Sequence, residues 1–86
     1  MKHRADLEFW FHYRKLTDEV RKLTDKNFEL LRQNERHSSI RLKPVGGGLW
    51  SARVGLHYRA LALEKPDAIV WFWIDHHSEY DQLIKK

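Results

Sequence analysis

Two periods divide the hydrophobic positions of this chain. Up to about residue 31 they recur at helical spacing. In Asp6 to Tyr13 (DLEFWFHY) and just beyond, Phe9, Tyr13 and Leu16 fall on one side of a short first helix. Thr17 follows as an N-cap, with Asp18 and Glu19 in the first turn, where negative charge favours the helix dipole. A second helix starts there, with Val20, Leu23, Asn27, Leu30 and Leu31 on the 3.6-residue period and Phe28 widening the stripe. Lys22, Lys26, Glu29 and Arg32 face elsewhere. The two helices make a hairpin whose apolar side needs a sheet to cover it. Asn34 to Ser39 has no periodicity and ends the second helix.

From Ile40 the period changes to two. Ile40 to Val45 (IRLKPV) alternates as a strand, with Arg41 and Lys43 on one face and Ile40 and Leu42 on the other, and Pro44 places its end at an edge. The triplet Gly46-Gly47-Gly48 supplies the positive φ of a hairpin connection into Leu49. In Leu49 to Val54, Trp50, Ala52 and Val54 share an apolar face and Ser51 and Arg53 the opposite one. His57 to Leu63 alternates likewise and sets Arg59 on a face that turns toward the Arg53 side. Ala68 to Ile74 (AIVWFWI) is apolar at every position, as expected of a central strand covered on both sides. Gly55-Leu56 and Lys65-Pro66-Asp67 provide the remaining turns. Ser78 then caps a final helix with Tyr80, Leu83 and Ile84 on one face and Lys85 and Lys86 at its carboxyl end. The expected architecture is α+β: an N-terminal helical hairpin packed on a four-stranded antiparallel meander, closed by a short C-terminal helix.

Length makes this one small domain, residues 1–86. At that size only about 60 to 65% of the unfolded surface is buried on folding, so the core must be dense. Four Trp, four Phe and three Tyr supply it. The absence of cysteine excludes a disulfide scaffold, a thiol nucleophile and cysteine-ligated zinc. Met1 to Asp6 carries early positive charge without an apolar stretch of about 7 to 15 residues behind it, so a cytoplasmic protein is expected. Sixteen Lys and Arg against twelve Asp and Glu leave a formal charge of +4, which favours an anionic or acidic partner.

Charge matters most on the polar face of the sheet. Arg41, Lys43, Arg53 and Arg59 come from three consecutive strands and can share one side, and Arg59 lies within an otherwise apolar strand. The alternative is a plain solvated face. His76, His77 and Glu79 do not read as a metal site, because adjacent histidines at a strand end point different ways and no third ligand accompanies them at a recognisable spacing; no metal or cofactor is expected. No serine has a defined base and orienting acid. What these residues do suit is metal-free cleavage of RNA. There the 2′-hydroxyl is the nucleophile and the protein adds a base, cations for the developing phosphorane charge and a proton donor to the leaving oxygen. Lys43 or His77 can act as base, Arg53 and Arg59 can clamp phosphate, and Tyr80 or His77 can donate a proton or orient the substrate. Tyr80 can equally stack on a base.

At these residues the chain resembles the RelE/ParE superfamily of bacterial toxins. The likeness spans nearly the whole length and rests on the order and spacing of RLK at Arg41 to Lys43, WSARV at Trp50 to Val54, HYRAL at His57 to Leu61 and HSEY at His77 to Tyr80. It implies a toxin neutralised by an acidic antitoxin. In the ribosome-dependent RNase branch, it implies an endoribonuclease that cuts mRNA in the ribosomal decoding site with residues at the positions of Arg41, Lys43, Arg53, Arg59, His77 and Tyr80. A related branch poisons DNA gyrase by binding alone, and a catalytically degenerate binding module is the third reading. The family generally opens with a full strand, for which Met1 to Arg4 is too short, so one sheet edge is expected to be open or paired with a partner.

Overall fold

The computed structural model describes residues 2–84. Helix α1 (Leu7–Tyr13) begins where the Asp6 side chain accepts a hydrogen bond from Phe9 N at 3.1 Å, and α2 (Asp18–Gln33) begins where Thr17 Oγ1 accepts from Val20 N at 3.3 Å. On α2 the buried residues are Thr24, Asn27 and Leu31, flanked by half-buried Val20, Phe28 and Leu30, while Leu23 is exposed. The apolar stripe is thus rotated away from Leu23, because a buried polar pair takes part in the contact with the sheet. Thr24 returns its hydroxyl to the Val20 carbonyl at 2.7 Å, and Asn27 Nδ2 donates to the Arg53 carbonyl at 3.2 Å.

The strands β2 (Lys43–Gly46), β3 (Leu49–Val54), β4 (Tyr58–Glu64) and β5 (Ile69–His76) form the expected antiparallel meander. A fifth strand corrects the expected count. β1 (His3–Ala5) pairs in parallel with Ile69 to Trp71, so the sheet order is β1-β5-β4-β3-β2 and the edge expected to be open is covered for three residues by the chain itself. So short a strand is held by its side chain. The fully enclosed imidazole of His3 accepts from Trp71 Nε1 at 3.1 Å through Nδ1 and meets Glu35 Oε2 at 2.6 Å through Nε2.

Helices α1 and α2 cover one face of the sheet, around Phe9, Leu31, Ala52, Val54, Ala60, Ala62, Ile69, Trp71 and Ile74. Trp73 belongs instead to a smaller cluster with Leu61 and Tyr80, to which Val45 and Phe72 add. The switch occurs where the β4 to β5 register shifts between Leu61 and Ala62: Leu61 is opposite Trp73 and Ala62 is opposite Trp71, leaving Phe72 as the extra residue. A continuous apolar strand can therefore feed two cores, and α3 (His77–Ile84) packs Tyr80 over the second. Leu83 and Ile84, expected on that buried face, are exposed, and Lys85 and Lys86 lie outside the described residues. The helix also starts one residue before the expected cap. Ser78 lies in its first turn, and its backbone N–H is taken by His76 Nδ1 at 3.2 Å.

Trp50 is on the helix side of the sheet, as its alternation predicts, yet it is only half-buried, and its Nε1 donates to Glu64 Oε1 at 2.8 Å. Complete burial would make Trp50→Ala cost about 3 to 5 kcal/mol. At this edge position the expected loss is about 2 kcal/mol, read from the midpoint shift in urea unfolding at constant slope. A loss above about 4 kcal/mol would show that the indole carries the packing of a fully buried side chain.

Candidate functional site

On the sheet face away from α1 and α2, the register sets two rows of side chains next to each other. One runs Arg53, Arg59, Asp75 across β3, β4 and β5, and the other runs Lys43, Ser51, Leu61, Trp73 across β2 to β5. Arg41 joins from outside any strand. Residues Ile40 to Leu42 do not form the expected start of β2, since Arg41 has φ +50°, a conformation that breaks strand alternation. Ile40 is nevertheless fixed, being 1% exposed, and its carbonyl accepts from Arg53 N at 2.6 Å. Arg41 is thereby carried to the same recess that alternation alone would have given it. Arg41, Leu42, Lys43, Ser51, Arg53 and Arg59 line an open recess of about 340 Å³.

The electrostatics of this recess are one-sided. Among the described residues none of the four cations has a carboxylate within ion-pair distance. Arg59 Nη1 donates to the Tyr58 carbonyl at 3.0 Å. The Nε of Arg53 is buried without a hydrogen-bond partner. The Arg53 guanidinium is held below the usual arginine value, first by loss of solvent and then by the charges of Arg41 and Arg59. Ser51, 2% exposed, puts a small polar side chain at the floor where a larger residue would fill the recess. Such an arrangement is complementary to a multiply charged anion with oxygens in several directions, and the guanidinium forks offer the bidentate geometry that phosphate accepts.

The carboxyl-terminal candidates occupy two other neighbourhoods on this side of the fold. Tyr80 is 6% exposed and packs on Leu61 and Trp73, where it serves as core; Leu61 is opposite Ser51 of the recess, but Tyr80 does not line the recess itself. His77 is half-buried at the start of α3, its backbone N–H donating to the His57 carbonyl at 2.7 Å and its Nδ1 standing 3.9 Å from Asp81 Oδ2. Its ring meets those of His57 and His76, beside the row that holds Arg59, because Tyr58 is paired with His76 and Arg59 with Asp75. Sequence reasoning missed His57 as a member of this group. It also missed Asp75 beside Arg59, and it set Ser51 on the Arg53 face without its cross-strand neighbours Lys43 and Leu61. The signal for all three is the pairing register, which single-strand alternation does not contain.

No protein-family model matches the chain, and no curated protein matches it. Solved structures do. The RelE-containing RelB-RelE antitoxin-toxin complex from Methanococcus jannaschii is similar with a TM-score of 0.69 at 21% identity over 92% of this chain and 96% of that one. A YoeB/ParE toxin from Agrobacterium tumefaciens gives 0.67 at 15% identity, over 90% of this chain and 99% of that one. The isolated E. coli RelE toxin gives 0.63 at 15% identity, over 96% and 97%. The helical pair, the meander and the closing helix together are therefore the RelE/ParE fold, shared along nearly the whole of each partner chain.

Proposed function

We propose that this chain is the toxin of a toxin-antitoxin pair and that it cleaves mRNA on the ribosome. The observation that carries this reading is the unpaired cation recess: four basic side chains without a carboxylate among the described residues, one of them with a buried, unpartnered Nε. Holding cations beside one another without counter-charges costs stability, and an anionic substrate repays it. In the proposed reaction the ribose 2′-hydroxyl attacks the adjacent phosphorus, its proton passes to Lys43, and the leaving 5′-oxygen takes a proton from His77. Arg53 and Arg59, with Arg41, hold the phosphate and stabilise the charge that accumulates on its equatorial oxygens. Lys43, at the exposed start of β2, also lines the recess. Tyr80 acts mainly by holding α3 on the sheet. The reaction calls on no metal, because the substrate carries its own nucleophile.

The neutralising partner would be an acidic antitoxin. A solved relative of this fold is a toxin in complex with its antitoxin, and an acidic segment laid over Arg41, Lys43, Arg53 and Arg59 would satisfy the same charges as RNA. Its binding is expected to weaken with added salt and on reversing the charge of Arg59. Association insensitive to both would move the contact elsewhere.

Expression in a bacterial host is expected to halt protein synthesis with mRNA ends that appear only in the presence of ribosomes. Mapping those ends while measuring gyrase supercoiling in the same cells tests the reading. Intact mRNA with inhibited supercoiling would replace it by the gyrase-binding alternative.

A further inference from the structure

We infer that His57, His76 and His77 form a binding site for a borderline divalent transition-metal ion, Zn²⁺ or Cu²⁺. One nitrogen from each ring lies within 4.8 Å of the other two. The adjacent histidines converge because the strand-to-helix junction falls between them: β5 ends at His76 and α3 begins at His77, so strand alternation does not apply across that bond. The third comes from the β3 to β4 turn, pinned by the hydrogen bond from His77 N to the His57 carbonyl at 2.7 Å and by the pairing of Tyr58 with His76. The rings lie close together, His76 and His77 with centroids 4.4 Å apart, and His57 and His76 at 6.1 Å with planes 2° from parallel.

Three imidazoles so placed suit Zn²⁺, Cu²⁺ or Ni²⁺, whereas the hard cations Ca²⁺ and Mg²⁺ require oxygen ligands. A Zn–N distance of about 2.0 to 2.1 Å in a tetrahedron sets ligand nitrogens roughly 3.3 Å apart. Ring rotations of the partly exposed side chains can close the remaining gap. His76 has an outer partner that can orient it at hydrogen-bond distance, and a carboxylate stands near His77. His76 Nδ1 lies 3.0 Å from Ser78 Oγ and His77 Nδ1 lies 3.9 Å from Asp81 Oδ2. Binding puts the His76 proton on Nδ1, where the Ser78 hydroxyl accepts it at the cost of the Ser78 backbone N–H bond that Nδ1 otherwise accepts, and this frees Nε2 for the ion. The fourth position is left to water or to a donor from a partner. An ion there would hold the lone pair of His77 and so slow the cleavage proposed above. That consequence rests on the cleavage reading; the site itself rests on the three rings.

Calorimetric titration of the full chain with ZnCl₂, and separately with CuCl₂, at pH 7.5 without ribosomes tests the site apart from any cleavage. One ion per chain is expected. His57→Gln, in an exposed turn and remote from the core, should weaken binding by more than about 100-fold, beyond the 10- to 100-fold that loss of an outer partner costs, and Ser78→Ala by about 10-fold. His37→Gln, on the exposed loop after α2, should leave affinity unchanged. Circular dichroism checks that each variant is folded. Absence of saturable binding up to millimolar ion, or undiminished affinity in both His57→Gln and His76→Gln, would overturn the site.

Discussion

Arg53→Met is expected to lower single-turnover cleavage of mRNA on programmed ribosomes by about 10² to 10³, the usual loss on removing one preorganised donor to a developing anion, without lowering thermal stability. The two effects have one cause. Desolvation and the charges of Arg41 and Arg59 hold the Arg53 guanidinium below its usual value. A base whose folded-state value is depressed costs stability wherever it is charged, and the penalty disappears only as pH rises through that folded value toward the unfolded one. That window lies at strongly basic pH, so the penalty is fully present at neutrality. Methionine keeps an unbranched stem of similar reach and deletes the charge, while the backbone bonds that fix the site, Asn27 Nδ2 to the Arg53 carbonyl and Arg53 N to the Ile40 carbonyl, remain available. The variant should therefore melt at or above the parent's temperature in calorimetry at pH 7. Added sulfate should raise the melting temperature of the parent more than that of the variant, because the anion binds the recess only in the folded state. A melting temperature lowered by more than about 4 °C would make Arg53 a structural residue of this sheet. Unchanged cleavage in a folded variant would remove it from the mechanism.

The path from sequence to this site is uneven, and the unevenness has physical causes. Alternation within β3 and β4 is enough to set Arg53 and Arg59 on the same face, because both strands are regular and their register is unbroken from Leu49 to Val54. The meander follows from glycine turns whose φ angles are positive, from +60° to +100° at Gly46 to Gly48 and +65° at Gly55. At Gly55 an added Cβ would also stand 2.6 Å from Leu23 Cδ2. Periodicity fails where backbone geometry changes at one residue. The bulge at Phe72 lets a single apolar run serve both faces, and Arg41, at φ +50°, leaves the strand that its neighbours suggest. It fails again where pairing is non-local. The parallel strand β1 has three residues and is recognisable only from its partner at Ile69 to Trp71 and from the His3 hydrogen bonds to Trp71 and Glu35. His57 is another such case, since its nearness to His76 and His77 comes from the return of β4 beside β5, which no local spacing encodes.

The carboxyl-terminal residues separate transfer of a proton from support of the fold. His77→Gln is expected to slow cleavage by about 10² to 10⁴, the contribution of a positioned general acid or base. Glutamine keeps a polar side chain of comparable length at the first turn of α3 and leaves the backbone bond from residue 77 to the His57 carbonyl in place, so the helix start should survive. Tyr80→Phe should behave differently. The ring is 6% exposed against Leu61 and Trp73, and phenylalanine preserves that contact. If Tyr80 acts by packing, Tyr80→Phe should cleave within about tenfold of the parent, below the range of a lost proton donor. Tyr80→Ala would then lose stability by about 3 to 5 kcal/mol, the cost of emptying a buried aromatic site, together with activity. Single-turnover rates on programmed ribosomes, with chemical denaturation of each variant, give both quantities. A loss of 10² or more in Tyr80→Phe at unchanged stability would transfer the proton-donor role from His77 to the phenol. Full activity in His77→Gln and in Tyr80→Phe would leave Lys43 as the base and charge stabilisation by the arginines as the main source of rate, because no other ionisable group of the proposed mechanism would remain to move the proton.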